Sequence, residues 1–221
     1  MSGFCNKDVR LDAGMYLSES STAARNRAIA DKLLEHKICE SEYDKEHGLE
    51  AYFMMCSTLL NTVDLAVLAA TCAYHGQNPI SKRNVVDQST NAEMINVMMT
   101  CGMYNGAGNW MVDVGIPAKS GVSGAIFGVV PNICGVAVFS PALNPNYNSV
   151  RGIKACKELC QRLSLHVLHQ KKAKLSIKEV LTGTRKPVTH QDVQDKQTAK
   201  YRSNSRKGST FSDEIHTISC E

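Results

Sequence analysis

From Asn109 to Ser140 the chain is rich in glycine and valine and has no helical period, so the fold must hold a sheet in its second half. Three strands are expected there, at about 109–114, 122–130 and 134–140. Pro131-Asn132 makes the last connection a tight turn. A parallel crossover needs far more chain, so that pair is antiparallel.

The residues on either side follow the 3.6-residue period instead. Residues 1–20 read as an entry loop and a short helix. Ser21 or Thr22 can cap a helix from about Ala23 to His36, with Ile29, Leu33 and Leu34 at helical spacing. A charged connector is expected from Glu40 to His47. Glu50 to Tyr74 is helical and apolar on most sides, which predicts a core helix, with Asn61-Thr62 as a point of division and Gly76 as its end. Gln77 to Gln88 contains Pro79 and reads as a loop. Thr90 with Glu93 forms a capping-box pattern for a helix ending at Gly102. A last helix is expected from about Ser149 to His166. Helices, then an antiparallel sheet, then one helix define an α+β chain.

Composition narrows the function classes. No run of about 18 apolar residues occurs, so no transmembrane helix is expected. Met1 to Arg10 is polar and lacks the apolar core of a secretory signal. The nine cysteines are scattered and never spaced C-x-x-C, as expected of free, buried thiols in a reducing compartment; Cys56, Cys72 and Cys134 lie in apolar runs. Cys156, Cys160, His166 and His169 suggest a metal set. Five residues separate Cys160 from His166, however, where a zinc finger has about twelve, so no metal is expected. The net charge of +4 arises after Lys171, where eleven Lys/Arg stand against six Asp/Glu. Residues 171–221 are expected to be a basic, disordered tail, and residues 1–170 the folded part. With the basic charge outside the fold, no nucleic-acid or membrane partner is expected.

Met99 to Ser149 reads MTCGMYNGAGNWMVDVGIPAKSGVSGAIFGVVPNICGVAVFSPALNPNYNS. The blocks C-G-M-Y, G-I-P-A-K-S-G-V and S-P-A-L-N…N-S resemble, in order and spacing, the signature region of the serine-dependent glutaminases. Upstream, Leu17-Ser18-Glu19 with Arg25-Asn26, and Ala51-Tyr52-Phe53 ahead of Cys56-Ser57, are similar to that family's substrate-binding segments. The resemblance covers roughly residues 10–170 and implies the C-terminal half of a catalytic domain. It implies a partial fold of the serine β-lactamase and penicillin-binding-protein type, in which Lys119-Ser120-Gly121 stands for the K-T-G element. The implied reaction is hydrolysis of L-glutamine to L-glutamate and ammonia through a serine acyl-enzyme, with no metal or organic cofactor. The resemblance also implies an intracellular protein, mitochondrial or cytosolic, assembled as a homodimer or homotetramer.

Roles follow residue by residue from that resemblance. Glu19 would hold the substrate's α-ammonium and Asn26 its α-carboxylate. Tyr52 would line the pocket. Tyr104 would stand beside the nucleophile and pass its proton, and the Val122 N–H would form half of the oxyanion hole. Read without the family, Glu19 is a helix-entry carboxylate, Asn26 a surface amide, Tyr52 a core residue, Tyr104 a turn residue and Lys119 a surface lysine. The family's glycine ahead of Asn-Ser is Tyr147 in this sequence. No Ser, Thr or Cys has a lysine three residues on, so the S-x-x-K nucleophile and base do not occur in these 221 residues. The chain alone is therefore expected to be inactive and to need another chain to fold fully.

Overall fold

The computed structural model describes residues 1–168; the expected basic tail and His169 lie outside them. The elements are α1 (Ser2–Cys5), β1 (Arg10–Leu11), α2 (Ala13–Ser21), α3 (Ala24–Glu35), α4 (Glu42–Cys56), β2 (Thr58–Leu59), α5 (Thr62–Ala73), α6 (Gln88–Cys101), a 3₁₀ turn (Tyr104–Gly106), α7 (Ala107–Asp113), β3 (Ala118–Ser120), β4 (Ala125–Val130), β5 (Cys134–Phe139) and α8 (Val150–Leu163).

The α+β expectation holds. β3, β4 and β5 form an antiparallel sheet in that order, with Ile126 opposite Ser120 on one side and Val138 on the other. Asn132 closes the β4–β5 turn at φ 62°, a conformation that asparagine tolerates. Side chains of β4 alternate between two cores, as a sheet covered on both faces requires. Ile126 and Val130 pack with Trp110, Val114, Ile116, Cys156 and Cys160, beneath α7 and α8. Phe127 and Val129 pack with Leu68, Ala69 and Cys72 of α5. α5 lies so close to β5 that a Cβ on Gly135 would stand 2.2 Å from the Ala70 nitrogen.

A third, smaller core joins Ala23, Ala30, Leu49 and Phe53 of the α2–α4 layer. Ser41 caps α4 through the Asp44 N–H. Asn61 and Asp64 cap α5 reciprocally, at 3.0 and 2.9 Å, which is why the long apolar stretch divides there.

Several sequence expectations are corrected. Residues 109–114 are not a strand. Residues 109–113 belong to α7 and Val114 is its C-cap; Ala107, Trp110 and Val114 are buried, and the Trp110 Nε1–H donates to the Ile116 carbonyl at 2.7 Å. The first strand of the sheet is β3, so Lys119-Ser120 lies within a strand of its own, ahead of the expected one, which is β4. The charged connector is the first turn and a half of α4. α6 is capped by Asp87, which accepts from the Thr90 N–H at 2.9 Å, so Thr90 is not the cap. Ala23 is the N-cap of α3, while the Thr22 hydroxyl donates to the Ser18 carbonyl and closes α2. The eight cysteines among the described residues are free thiols; Cys72 is buried as expected, but Cys56 is exposed. No helix among the described residues is long and apolar enough to cross a membrane.

Candidate functional site

Glu19 lies half-buried near the end of α2. The helix is fixed by its Asp12 cap, which accepts from the Met15 N–H at 2.9 Å, and by the Asp12 N–H, which donates to the Ser57 carbonyl beyond α4. β1 pairs with β2 at Leu11 and Thr58, so the start of α2 and the end of α4 stay together. Asn26, one turn into α3, lines a cleft of about 410 Å³ with Tyr52, Leu49, Ile29 and Lys45. Lys45 crosses from α4 to α3 and reaches Asp31 at 2.9 Å.

Tyr52 is 43% exposed, so it is not the core residue that its apolar helix allowed. Cys56 follows one turn later on α4, on the same face. Partial burial, and then a hydrogen bond to the Cys56 thiol, push the Tyr52 phenol up to about 12, with Glu19 and Tyr104 adding to the shift. The Cys56 thiol is raised, first by burial and then by the Glu19 charge, while Tyr52 and Lys119 pull it the other way.

Tyr104 arrives from a different part of the chain. Gly102, just before it, sits so close to β3 that a Cβ would lie 1.7 Å from the Ala118 carbonyl oxygen. The Ser120 N–H donates to the Gly102 carbonyl at 3.0 Å. This joint sets Tyr104, at φ 50°, against Lys119, whose ammonium stands 4.6 Å from the Tyr104 ring centroid. A cation over an aromatic face is attracted by about 0.5–1 kcal/mol where solvent reaches it. Lys119 also donates to the Ser120 carbonyl. The residue is exposed at the surface, yet neighbours partly desolvate its ammonium and push its pKa down. Burial raises the Tyr104 phenol, and the Cys56 charge raises it further, so Tyr104 is a protonated donor at neutral pH.

Val122 stands in the β3–β4 turn, 64% exposed. The turn is held by the Gly121 N–H to the Ala125 carbonyl and the Gly124 N–H to the Gly121 carbonyl. No described residue accepts from the Val122 N–H. The structure thus gathers Glu19, Tyr52, Tyr104 and Lys119 around Cys56, gives Asn26 a cleft shared with Tyr52, and puts Val122 at the end of the Lys119 strand. Cys56 is the member that the sequence reading missed; its place four residues after Tyr52 was the available signal. Among the described residues no group of three or more His, Cys, Asp or Glu is arranged around a metal position. Cys156 and Cys160 sit buried on α8.

The third block of the signature closes on the first and on itself. The Asn148 side-chain amide donates to the Met103 carbonyl at 3.0 Å, and the Ser149 hydroxyl, while capping α8, donates to the Ser140 carbonyl at 2.7 Å. Blocks far apart in sequence are therefore one packed unit around Tyr104.

An α+β chain of this kind, with a lysine on a sheet strand facing a tyrosine, falls in the β-lactamase-like class of hydrolase folds. The Glutaminase family model matches residues 1–168, and the chain belongs to that family. The glutaminase of a Nostoc species is 48% identical over 164 residues, which are 74% of this chain and 48% of that protein. The Corynebacterium glutamicum glutaminase is 38% identical over 167 residues, 76% of this chain and 40% of that one. A Bacillus subtilis glutaminase, solved as a covalent complex with 5-oxo-L-norleucine formed from 6-diazo-5-oxo-L-norleucine, superposes with a TM-score of 0.67 at 34% identity. That match covers 75% of this chain and 59% of that one. The chain spans about half the length of the curated relatives it matches.

Proposed function

We propose that this chain carries a glutamine-binding half of a glutaminase site, and that it hydrolyses glutamine only when a second segment supplies the S-x-x-K nucleophile and base. The observation that carries this reading is the convergence of Glu19, Tyr52, Tyr104 and Lys119, from separate signature blocks, on one patch. Glu19 holds the α-ammonium and Asn26 the α-carboxylate, while Tyr52 lines the pocket. In the complete reaction a serine attacks the side-chain amide carbonyl, and Tyr104 relays protons. The Val122 N–H stabilises the oxyanion, ammonia leaves, and water releases glutamate. One such N–H donor is typically worth about 10²–10³ in rate. The chain is intracellular, mitochondrial or cytosolic, and its other partner is a further copy or a longer subunit of the same family, in a dimer or tetramer. Residues 1–170 form the partial catalytic domain, and 171–221 the basic tail.

Calorimetry with glutamine and ammonia release test this reading separately. The chain should bind glutamine, and Glu19→Gln should weaken binding on the order of tenfold or more, the range for a hydrogen bond to a charged group. Ammonia should appear only with a version extended upstream through S-x-x-K. Turnover by the short chain alone would sink the nucleophile argument. Absence of glutamine heat would retire the binding assignment.

A second reading is a non-catalytic module that assembles with full-length subunits. Met15, Leu17, Ile29, Met55 and Leu59, all in or beside the α2–α4 layer, are 47–65% exposed and favour it. Co-purification of a tagged longer subunit with this chain, and an altered subunit rate, are its expected results.

A further inference from the structure

Asn148 is 1% exposed and reaches across to the turn that carries Tyr104. Its Nδ2 donates to the Met103 carbonyl at 3.0 Å, and a Cβ on Gly106 would lie 2.8 Å from that same nitrogen. The amide therefore touches both ends of the Tyr104–Gly106 turn. A carbonyl only accepts, so the nitrogen must face Met103, and this fixes the orientation of the amide. Its Oδ1 is then buried with no partner among the described residues. Such orphaned oxygens are uncommon and destabilising. The loop presenting the amide is itself fixed, because Asn144 Oδ1 accepts the Asn146 and Asn148 N–H groups at 3.0 Å each. Tyr104, at φ 50°, occupies a region that non-glycine residues keep only when their surroundings over-determine it.

We propose that Asn148 is a positioning residue, whose buried amide locks the Met103 carbonyl and so holds Tyr104 in its left-handed conformation against Lys119. Asn148 does not reach the ligand; it acts through Tyr104, and its functional meaning rests on the binding site proposed above. The unsatisfied Oδ1 is the cost of presenting a donor at the one place where the Met103 carbonyl needs it.

Asn148→Asp keeps the shape and tests the donor. The carboxylate cannot donate to Met103, but the neutral acid can, and burial favours the neutral form. The readout is the near-ultraviolet dichroism that Tyr104→Phe removes from the unaltered chain, with far-ultraviolet dichroism following the helices. At about pH 8 the variant should keep its helices and lose most of the Tyr104 band. The band should return as the pH falls toward about 5, with no such dependence in the unaltered chain. Gly106→Ala, which presses on the amide nitrogen, should lose the band at every pH, and it decides the matter if Asn148→Asp does not fold. An intact Tyr104 band in the folded variants overturns the proposal, as does a loss in Asn148→Asp that acid does not reverse. Glutamine calorimetry on the same samples separates the two readings. The Tyr104 pattern without glutamine heat retires the binding assignment and keeps the positioning role. Normal glutamine heat with an unmoved band does the reverse.

Discussion

Tyr147 stands where the resembled family has glycine, and its backbone is at φ 59°. Its N–H donates to the Asn144 carbonyl at 2.9 Å, closing the turn ahead of Asn148, while its side chain is 62% exposed. A left-handed conformation costs an L-residue roughly 1–2 kcal/mol. Glycine avoids that strain but gives part of it back as greater freedom in the unfolded chain. Tyr147→Gly should therefore stabilise the protein by about 0.5–1 kcal/mol, read as a higher denaturant midpoint at an unchanged slope. The reasons for two other residues lie in tertiary contacts and were not visible in the sequence. Gly102 is required by the approach of the Ala118 carbonyl, a contact between residues far apart along the chain. Gly102→Ala should destabilise by more than about 3 kcal/mol, the upper range for single substitutions, because a backbone atom and not a flexible side chain stands in the way. Cys56 was grouped with the buried thiols because its neighbours are apolar; only the tertiary placement of Glu19 and Lys119 makes it part of a site.

Helix ends and short elements separate what the sequence revealed from what it hid. The β4–β5 hairpin was legible because Pro131-Asn132 is turn chemistry between two β-branched runs, and α8 because Ser149 precedes a clear period. α7 was misread as a strand. Its Trp, Met and Val residues suit a strand, while the burial period of Ala107, Trp110 and Val114 spans only two turns between glycines. α4 began unseen because its first turn is charged, which a capped helix terminus favours but a search for apolar period ignores. β1 and β2, two residues each, have no local signature. Asp87 gives the element scale its own test. Its carboxylate accepts from Ser89, from the Thr90 hydroxyl and from the Thr90 N–H, and these bonds hold its pKa well below the usual carboxylate range. A group with a depressed folded pKa contributes stability above its unfolded pKa and loses it as the pH falls through the folded value. The unaltered chain should thus lose stability below about pH 4 more steeply than Asp87→Asn. Equal acid slopes in urea unfolding at pH 7 and pH 3 would remove the cap from the account.

At the scale of the whole chain, the two cores flanking the sheet are built from fully buried residues such as Val114, Ile116, Ile126 and Val129. The α2–α4 layer rests on Ala23, Ala30, Leu49 and Phe53. No residue of α2 is buried. Yet Glu19, Asn26 and Tyr52 all stand on this thinly packed layer, while Tyr104, Lys119 and Val122 stand on or beside the sheet. The proposed ligand would therefore bridge a weakly held layer and a firm one. Local stability follows buried apolar contact, so amide hydrogens of α2, α3 and the first half of α4 should exchange at lower free energy than those of α5, β4 and α8. A ligand that binds only the closed arrangement raises the opening free energy of that layer by RT ln(1 + [L]/Kd), about 2.7 kcal/mol at one hundred times Kd. Glutamine should slow exchange in α2–α4 by up to roughly a hundredfold at that concentration, and in β4 and α8 by the same factor wherever their exchange requires an unfolding that also opens this layer. Uniform protection would mean that the ligand stabilises the chain as one unit. Protection confined to β4 and α8 would move the site away from Glu19 and Asn26 altogether.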